Sequence, residues 1–227
     1  MPNKTKIKYL CYTAGAIEHV STSEMKTWRE EINSRLKSPD LCIYDPVSQE
    51  SSKVGKLSGE QVEYIKGLKR AGHWDLFMQE MTKIWWGNII PDSHLAELFL
   101  HLRLKAITEG NFLEDLHKYG DYEAIARSTF IIVYLPKDVK TVGTIYEIML
   151  AFLLHIPIYL ILPDSPKTEA NSSLLYGVML SGGETFYTVN ECCNYIIDKY
   201  KVKIIEPVKE EPKKEETKTE EPPEKKE

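Results

Sequence analysis

The sequence predicts an α/β protein, a parallel β-sheet with helices on both faces. Three observations carry that expectation. Strand-like and helix-like segments alternate at both ends of the chain. Two later strands, FIIVYLP and IPIYLILP, are apolar at nearly every position, as in sheets buried on both faces. At 227 residues the chain has room for one domain with a substantial insertion.

The elements follow in order. KIKYLCYT, residues 6–13, is apolar, β-branched or aromatic, and Ala14-Gly15 closes it like a strand ending in a tight turn. Ser21 and Glu24 have capping-box spacing. Met25, Trp28, Ile32 and Leu36 then recur at helical intervals, which predicts an amphipathic helix ending before Ser38-Pro39. LCIYDPV, residues 41–47, is a second strand and completes a βαβ beginning. The polar, Gly-containing stretch 48–59 reads as a loop. Helices over about 59–71, 73–86 and 93–108, broken at Gly72 and at 88–92, form a helical insertion spanning about 55–115.

The α/β pattern resumes at Asp121. DYEAIARS is a short helix, FIIVYLP a buried strand, VGTIYEIMLAFLLH a helix and IPIYLILP a second buried strand. The last folded unit runs from about Asn171 to Tyr200, with Gly182-Gly183 as a turn and residues 187–200 as a terminal helix. From Glu206 to Glu227 the chain holds nine Glu and six Lys, with Pro and almost nothing to bury, which predicts disorder. The expected organisation is a flavodoxin-like or Rossmann-like domain over residues 1–205, followed by a solvated tail over 206–227.

Composition narrows the function. The chain is 42% hydrophobic and 28% charged, and its longest apolar candidate, Ile145 to Leu162, is interrupted by Glu147, His155 and Pro157. It falls short of the roughly 20 apolar residues of a membrane span. The N-terminus lacks the pattern of a signal peptide, so the sequence predicts a soluble, cytoplasmic protein with no membrane partner. Cys11, Cys42, Cys192 and Cys193 have neither zinc-ligand spacing nor disulfide-scaffold density, and read as reduced, mostly buried thiols. His73, His94, His101 and His117 lack paired ligand spacing. No metal and no cofactor is expected. The net charge is -5, of which the tail carries -3, and the nearly neutral body argues against a nucleic-acid polymer as ligand. A small molecule is the expected ligand.

In open parallel sheets, ligands bind beyond the carboxyl ends of the strands. That directs attention to Tyr12–Gly15, to Asp45-Pro46, and to the stretch from Pro136 to Glu147. Gly143-Thr144 allows close backbone approach at a helix start, where free amides hold an anion or a sugar oxygen. Glu147, on an otherwise apolar helix, either points into a cleft or is a first-turn Glu favoured by the helix dipole by ~0.3 to 1 kcal/mol. On the residues alone Asp121 reads as a helix N-cap rather than a catalytic group, and Tyr12 as a core aromatic at a strand end. Trp85-Trp86, with Phe77, Met78 and Met81, reads as helix packing rather than as a base-stacking platform.

Taken together, Y-T-A-G (Tyr12 to Gly15), D-Y-E-A-I-A-R-S (Asp121 to Ser128) and V-Y-L-P followed by V-G-T-I-Y-E-I-M-L-A (to Ala151) resemble, in order and spacing, the nucleoside 2-deoxyribosyltransferase family. IPIYLILPD and LLYGV are similar to its continuation. The resemblance covers residues 119–180 well and 5–47 loosely, and the insertion has no counterpart in the short members. By position it implies Glu147 as catalytic nucleophile, Asp121 as the active-site acid that serves the base, and Tyr12 as the residue holding the nucleophile. Gly15, Gly143 and Thr144 are the implied substrate-binding residues.

Three positions depart from the family pattern. Thr129 stands where many members carry Asp, Thr141 replaces an acidic residue, and Ser172 or Ser173 falls where a neighbouring subunit's Asn helps bind sugar. The implied reaction takes a nucleoside or nucleotide and passes its sugar through a covalent glycosyl-Glu intermediate to a free nucleobase, or to water in an N-glycosidase. A homo-oligomer is implied as well. For a 5'-phosphate, Arg127, Ser128 or Lys140 are the expected donors. The competing expectation is a non-catalytic nucleotide sensor or scaffold that keeps the sheet and pocket.

Overall fold

The computed structural model describes residues 4–17, 20–47, 59–87, 89, 94–137, 139, 141–163 and 170–205. The expectations for the 48–58 loop and for the charged tail lie outside them. The fold is α/β. Five strands, β2 (Tyr9–Gly15), β3 (Leu41–Tyr44), β5 (Phe130–Tyr134), β6 (Ile158–Ile161) and β7 (Glu184–Phe186), pair in the order β3-β2-β5-β6-β7, every pairing parallel. A separate antiparallel pair joins β1 (Lys6–Ile7) to β4 (Asn111–Phe112). The segment read as one strand from Lys6 is therefore two, broken at Lys8.

Helices cover both faces, and the period-2 alternation of strand side chains assigns each residue to one of two cores. Leu10, Tyr12, Ala14, Ile131, Val133, Ile158 and Leu160 point to the face of α5 (Asp121–Arg127), α6 (Val142–Leu153) and α7 (Ser172–Leu180). Cys11, Phe130, Ile132, Tyr159 and Ile161 point to the face of α1 (Thr22–Arg35) and α8 (Val189–Tyr200). Two apolar faces explain why these strands show no alternation in the sequence.

Local chemistry sets the element ends. Ser21 and Glu24 form the capping box of α1, and Thr188 and Glu191 that of α8. Thr129 joins the central strands: its amide donates to Leu10 O at 2.7 Å, and its Oγ1 accepts from the Leu10 amide. Gly182-Gly183 leads into β7 rather than directly into the terminal helix. A Cβ on Gly183 would strike the backbone of Ile158, so glycine is required where β6 and β7 converge.

The insertion contributes α2 (Gly59–Ala71), α3 (Trp74–Trp86) and α4 (Leu95–Thr108), with a left-handed turn at Gly72 between the first two. It is fastened to the body where Gly87 bridges to Tyr119. Gly87 has φ +60°, and a Cβ on it would lie 2.5 Å from the Gly120 amide nitrogen, so the two backbones touch. A 3-10 helix over Leu113–Lys118 leads from β4 to this crossing. No described helix is long and apolar enough to cross a membrane.

Candidate functional site

Strand order reverses between β2 and β5, because the chain leaves β2 towards β3 and returns to β5 on the opposite side. A crevice at such a switch point is where parallel sheets hold ligands. Here a cavity of about 400 Å³ opens at the carboxyl end of β2. Its wall takes Gly15, Ala16 and Ile17 from the strand end, Asp121 from α5, and Thr141, Val142, Gly143, Thr144 and Glu147 from the start of α6. The insertion supplies the remaining wall.

Tyr12, Asp121 and Glu147 are brought together, at 0%, 3% and 6% exposure. The Tyr12 hydroxyl donates to Glu147 Oε1 at 2.6 Å, so the β2 residue that faces α6 reaches the carboxyl group directly. Tyr12 stacks on Tyr44 with ring centroids 5.7 Å apart, and the Tyr44 hydroxyl donates to Tyr119 O at 2.9 Å. That stack fixes the phenol from behind. Gly15 must be glycine, because a Cβ there would lie 2.6 Å from the Trp28 ring.

Glu147 is not a first-turn residue. It lies in the second turn of α6, which has no acidic residue in its first turn, and it is buried. Dipole stabilisation of an exposed side chain therefore does not account for it. Burial raises its pKa to about 8, against the Tyr12 hydrogen bond and the Arg29 guanidinium, which lower it, while the Asp121 charge adds to the rise. Asp121 is not the N-cap of its helix either. Gly120 holds that position without a side-chain cap, and Asp121 is the first helical residue, turned to the cavity.

Arg29 and Asp45 join the site from below. Arg29 is 2% exposed, its Nη1 donates to Met25 O at 2.7 Å and its Nη2 to Gly15 O at 3.3 Å, and its Nε lies 3.0 Å from Asp45 Oδ1. Its guanidinium also lies over the Trp28 ring at 4.1 Å. Burial outweighs this cation at Asp45 and pushes the carboxyl up to about 6. The pair thus holds the strand end that forms the cavity lip. Arg29 is not among the residues expected from the sequence, although a signal is present there: position 29 falls on the buried stripe of α1, between Met25 and Ile32.

The aromatic and methionine residues of the insertion pack as expected and add a wall to the cavity as well. Trp86 is partly buried, stacked on Phe99 at 5.8 Å and edge-on to Tyr122 at 4.8 Å. Phe77 and Met81 pack against Val62 and Ile65 of α2, and together with Trp85 they also line the cavity. The Trp85 ring is tilted on Tyr122 at 4.7 Å and borders Gly143, where an added Cβ would meet it at 3.7 Å. Met78 is exposed and lies on neither surface.

Other expected residues fall elsewhere. Arg127 pairs with Glu123 at 2.7 Å and lies over Tyr119, and the Ser128 hydroxyl donates to Ala124 O, so neither lines the cavity. Lys140 lies outside the described residues. Ser172 and Ser173 are exposed at the start of α7, where Asn171 accepts from the Ser173 and Leu174 amides. All four cysteines are free thiols, and the described residues include no group of three or more His, Cys, Asp or Glu placed to hold a metal ion.

The arrangement has chemical consequences. Two carboxyl groups face one cavity, one of them held by a phenol and backed by a buried cation, and the N-terminal amides of α6 lie on the same wall. Such a pair can combine nucleophilic attack with proton transfer. No protein-family model matches the chain, and no curated protein matches it.

Proposed function

We propose that the protein is a nucleoside 2-deoxyribosyltransferase-like enzyme that cleaves the N-glycosidic bond of a (deoxy)nucleoside or nucleotide and transfers the sugar to another base. The observation that carries this reading is the Tyr12–Glu147 hydrogen bond in a cavity that Asp121 also lines. The strand order, second-first-third-fourth-fifth among the five parallel strands, supports a flavodoxin-like fold with its ligand at the switch point.

In this mechanism a Glu147 carboxylate oxygen attacks the anomeric carbon, and the C–N bond breaks with its electron pair going to the base. Asp121 delivers a proton to the base nitrogen. A ring nitrogen of the acceptor base then attacks the same carbon, Glu147 leaves as carboxylate, and the acceptor's proton passes to Asp121. Negative charge at Glu147 also stabilises the oxocarbenium-like transition state.

A second copy of the chain is part of the proposal. Ile145, Tyr146, Met149 and Leu153 are exposed apolar residues of α6 outside the cavity lining, and Tyr176, Met179 and Leu180 extend the patch on α7. A patch of that kind marks an interface.

The test is chromatographic. Purified protein is incubated with deoxynucleosides and deoxynucleotides, with and without a free acceptor base, and a 2-fluoro sugar analogue is used to trap the intermediate. Base exchange with analogue mass on the peptide containing Glu147 is the expected result. Absence of C–N cleavage for every substrate, or label on another carboxylate, overturns the assignment.

A further inference from the structure

The insertion places a patterned helix face against the carboxyl groups. Val62, Ile65, Lys66 and Lys69 recur at intervals of three, one and three along α2, which is one face of a helix, and all four line the cavity. The first half of that face is apolar and buried, and the second half carries two ammonium groups on partly buried stems. Lysine stems lie along apolar surface while their heads reach polar space. The neighbouring α3 adds Phe77 and Trp85, and Asp121 and Glu147 come from the other wall.

The lining is therefore divided, with Asp121 and Glu147 on the α5–α6 side and Lys66 and Lys69 on the α2 side. A neutral sugar and base have no group that needs the second. Lys66 Nζ meets Glu63 Oε1 at 2.9 Å, but Glu63 is 62% exposed and also reaches Arg70, so this is a surface pair of small energy that a stronger anion displaces. Two lysines one turn apart converge as point charges on a dianion such as a phosphomonoester. At about 400 Å³ the cavity has the volume of a small-ligand site.

We infer that Lys66 and Lys69 of α2 are the anion-selecting end of this cavity, so that its ligand is phosphorylated, with its base against Trp85 and Phe77; resting on the glycosidic reading above, this makes the substrate a nucleoside monophosphate rather than a nucleoside. The insertion is then the specificity wall of the site. It stands in for the donors expected at Arg127 and Ser128, which do not line the cavity.

Binding tests this without depending on turnover. Calorimetric titrations of the full chain compare 2-deoxyribose 5-phosphate with 2-deoxyribose, which have no glycosidic bond to a base, and titrations of the Glu147→Gln protein compare 2'-deoxyadenosine 5'-monophosphate with 2'-deoxyadenosine. The phosphorylated member of each pair should bind at least roughly 10-fold more tightly at low salt, with the ratio falling as salt rises. Lys66→Gln/Lys69→Gln should reduce the ratio to about 3-fold or less, and Lys66→Arg/Lys69→Arg should keep most of it. Equal affinities in the unmodified pair comparison, no binding of the phosphorylated compounds, or a preference that survives the double Gln change would each overturn the inference. The two readings fail separately: a phosphate preference without C–N cleavage sinks the enzymatic proposal alone, and cleavage of deoxynucleosides without phosphate preference sinks this one alone.

Discussion

The Tyr12 hydroxyl and Glu147 Oε1 stand 2.6 Å apart, joining the middle of β2 to the second turn of α6 through a buried hydrogen bond. The bond fixes the carboxyl group's orientation and favours its ionised form. Desolvation works the other way and prevails, leaving the group at about 8. The site thus holds a carboxyl group that keeps its proton at neutral pH until something in the cavity favours the anion.

A nucleophile must be ionised, so kcat/KM should rise with pH through about 8 and level off above it. Tyr12→Phe removes a contact that lowers this value and should move the rise to higher pH while reducing the rate at pH 7 by about 10-fold or more. The check is the pH profile of both proteins. An unchanged profile in Tyr12→Phe would sever the link between the phenol and the nucleophile.

Glu147→Gln should abolish turnover and leave the fold intact. It should also change stability with a definite sign. The folded-state value lies above the ordinary 4.5, so wild-type stability falls as pH rises between 4.5 and about 8 and is flat beyond. The Gln variant lacks that decline, and its melting temperature relative to wild type should climb across the same window, by the equivalent of about 2 to 4 kcal/mol at the alkaline end. Melts at pH 5 and pH 8.5 decide it; a constant difference would mean that Glu147 is not desolvated.

Arg29→Met leaves Asp45 buried beside an apolar side chain. Loss of one partner of a buried pair costs about 3 to 5 kcal/mol. Because burial has already raised Asp45 to about 6, protonation relieves part of the cost in acid, and the variant should be closer to wild type at pH 5 than at pH 8. Denaturant midpoints at the two pH values measure this.

Tyr146→Glu with Met149→Glu puts two charges into the exposed α6 patch. Both side chains are exposed and neither lines the cavity, so the substitutions should turn the oligomer into a monomer without unfolding it. Light scattering at assay concentration is the measure, and wild-type protein that is itself a monomer refutes the oligomer.

Local signals are legible in the sequence wherever a few neighbouring residues fix the outcome. The Ser21–Glu24 box, the apolar run of β5 and the amphipathic α1 need no tertiary information. Tertiary geometry decides the rest. The three residues of β7 carry too little pattern to stand out beside Gly182-Gly183. Whether Asp121 caps its helix or begins it depends on a shift of one residue, and that shift turns its side chain from the helix end to the cavity. Trp85 and Trp86 are adjacent, so on a helix they face about 100° apart, and only the tertiary placement shows that Trp86 stacks on Phe99 while Trp85 lines the cavity. Lys66 and Lys69 look like an ordinary solvated face until α2 is placed over the sheet edge.

The contact between Gly87 and Gly120 binds the history of two parts of this chain together. Any chimera that trims the helices back to a bare sheet, or grafts them onto another one, severs the backbone crossing that sets where α5 begins. Both glycines have to travel as a unit, since a side chain at either would prise α3 from α5 and carry Trp85 away from Asp121. The helices between β3 and α5 are in that sense no detachable module but a hinge pin, and a scaffold without them would have to invent another way to aim its acid.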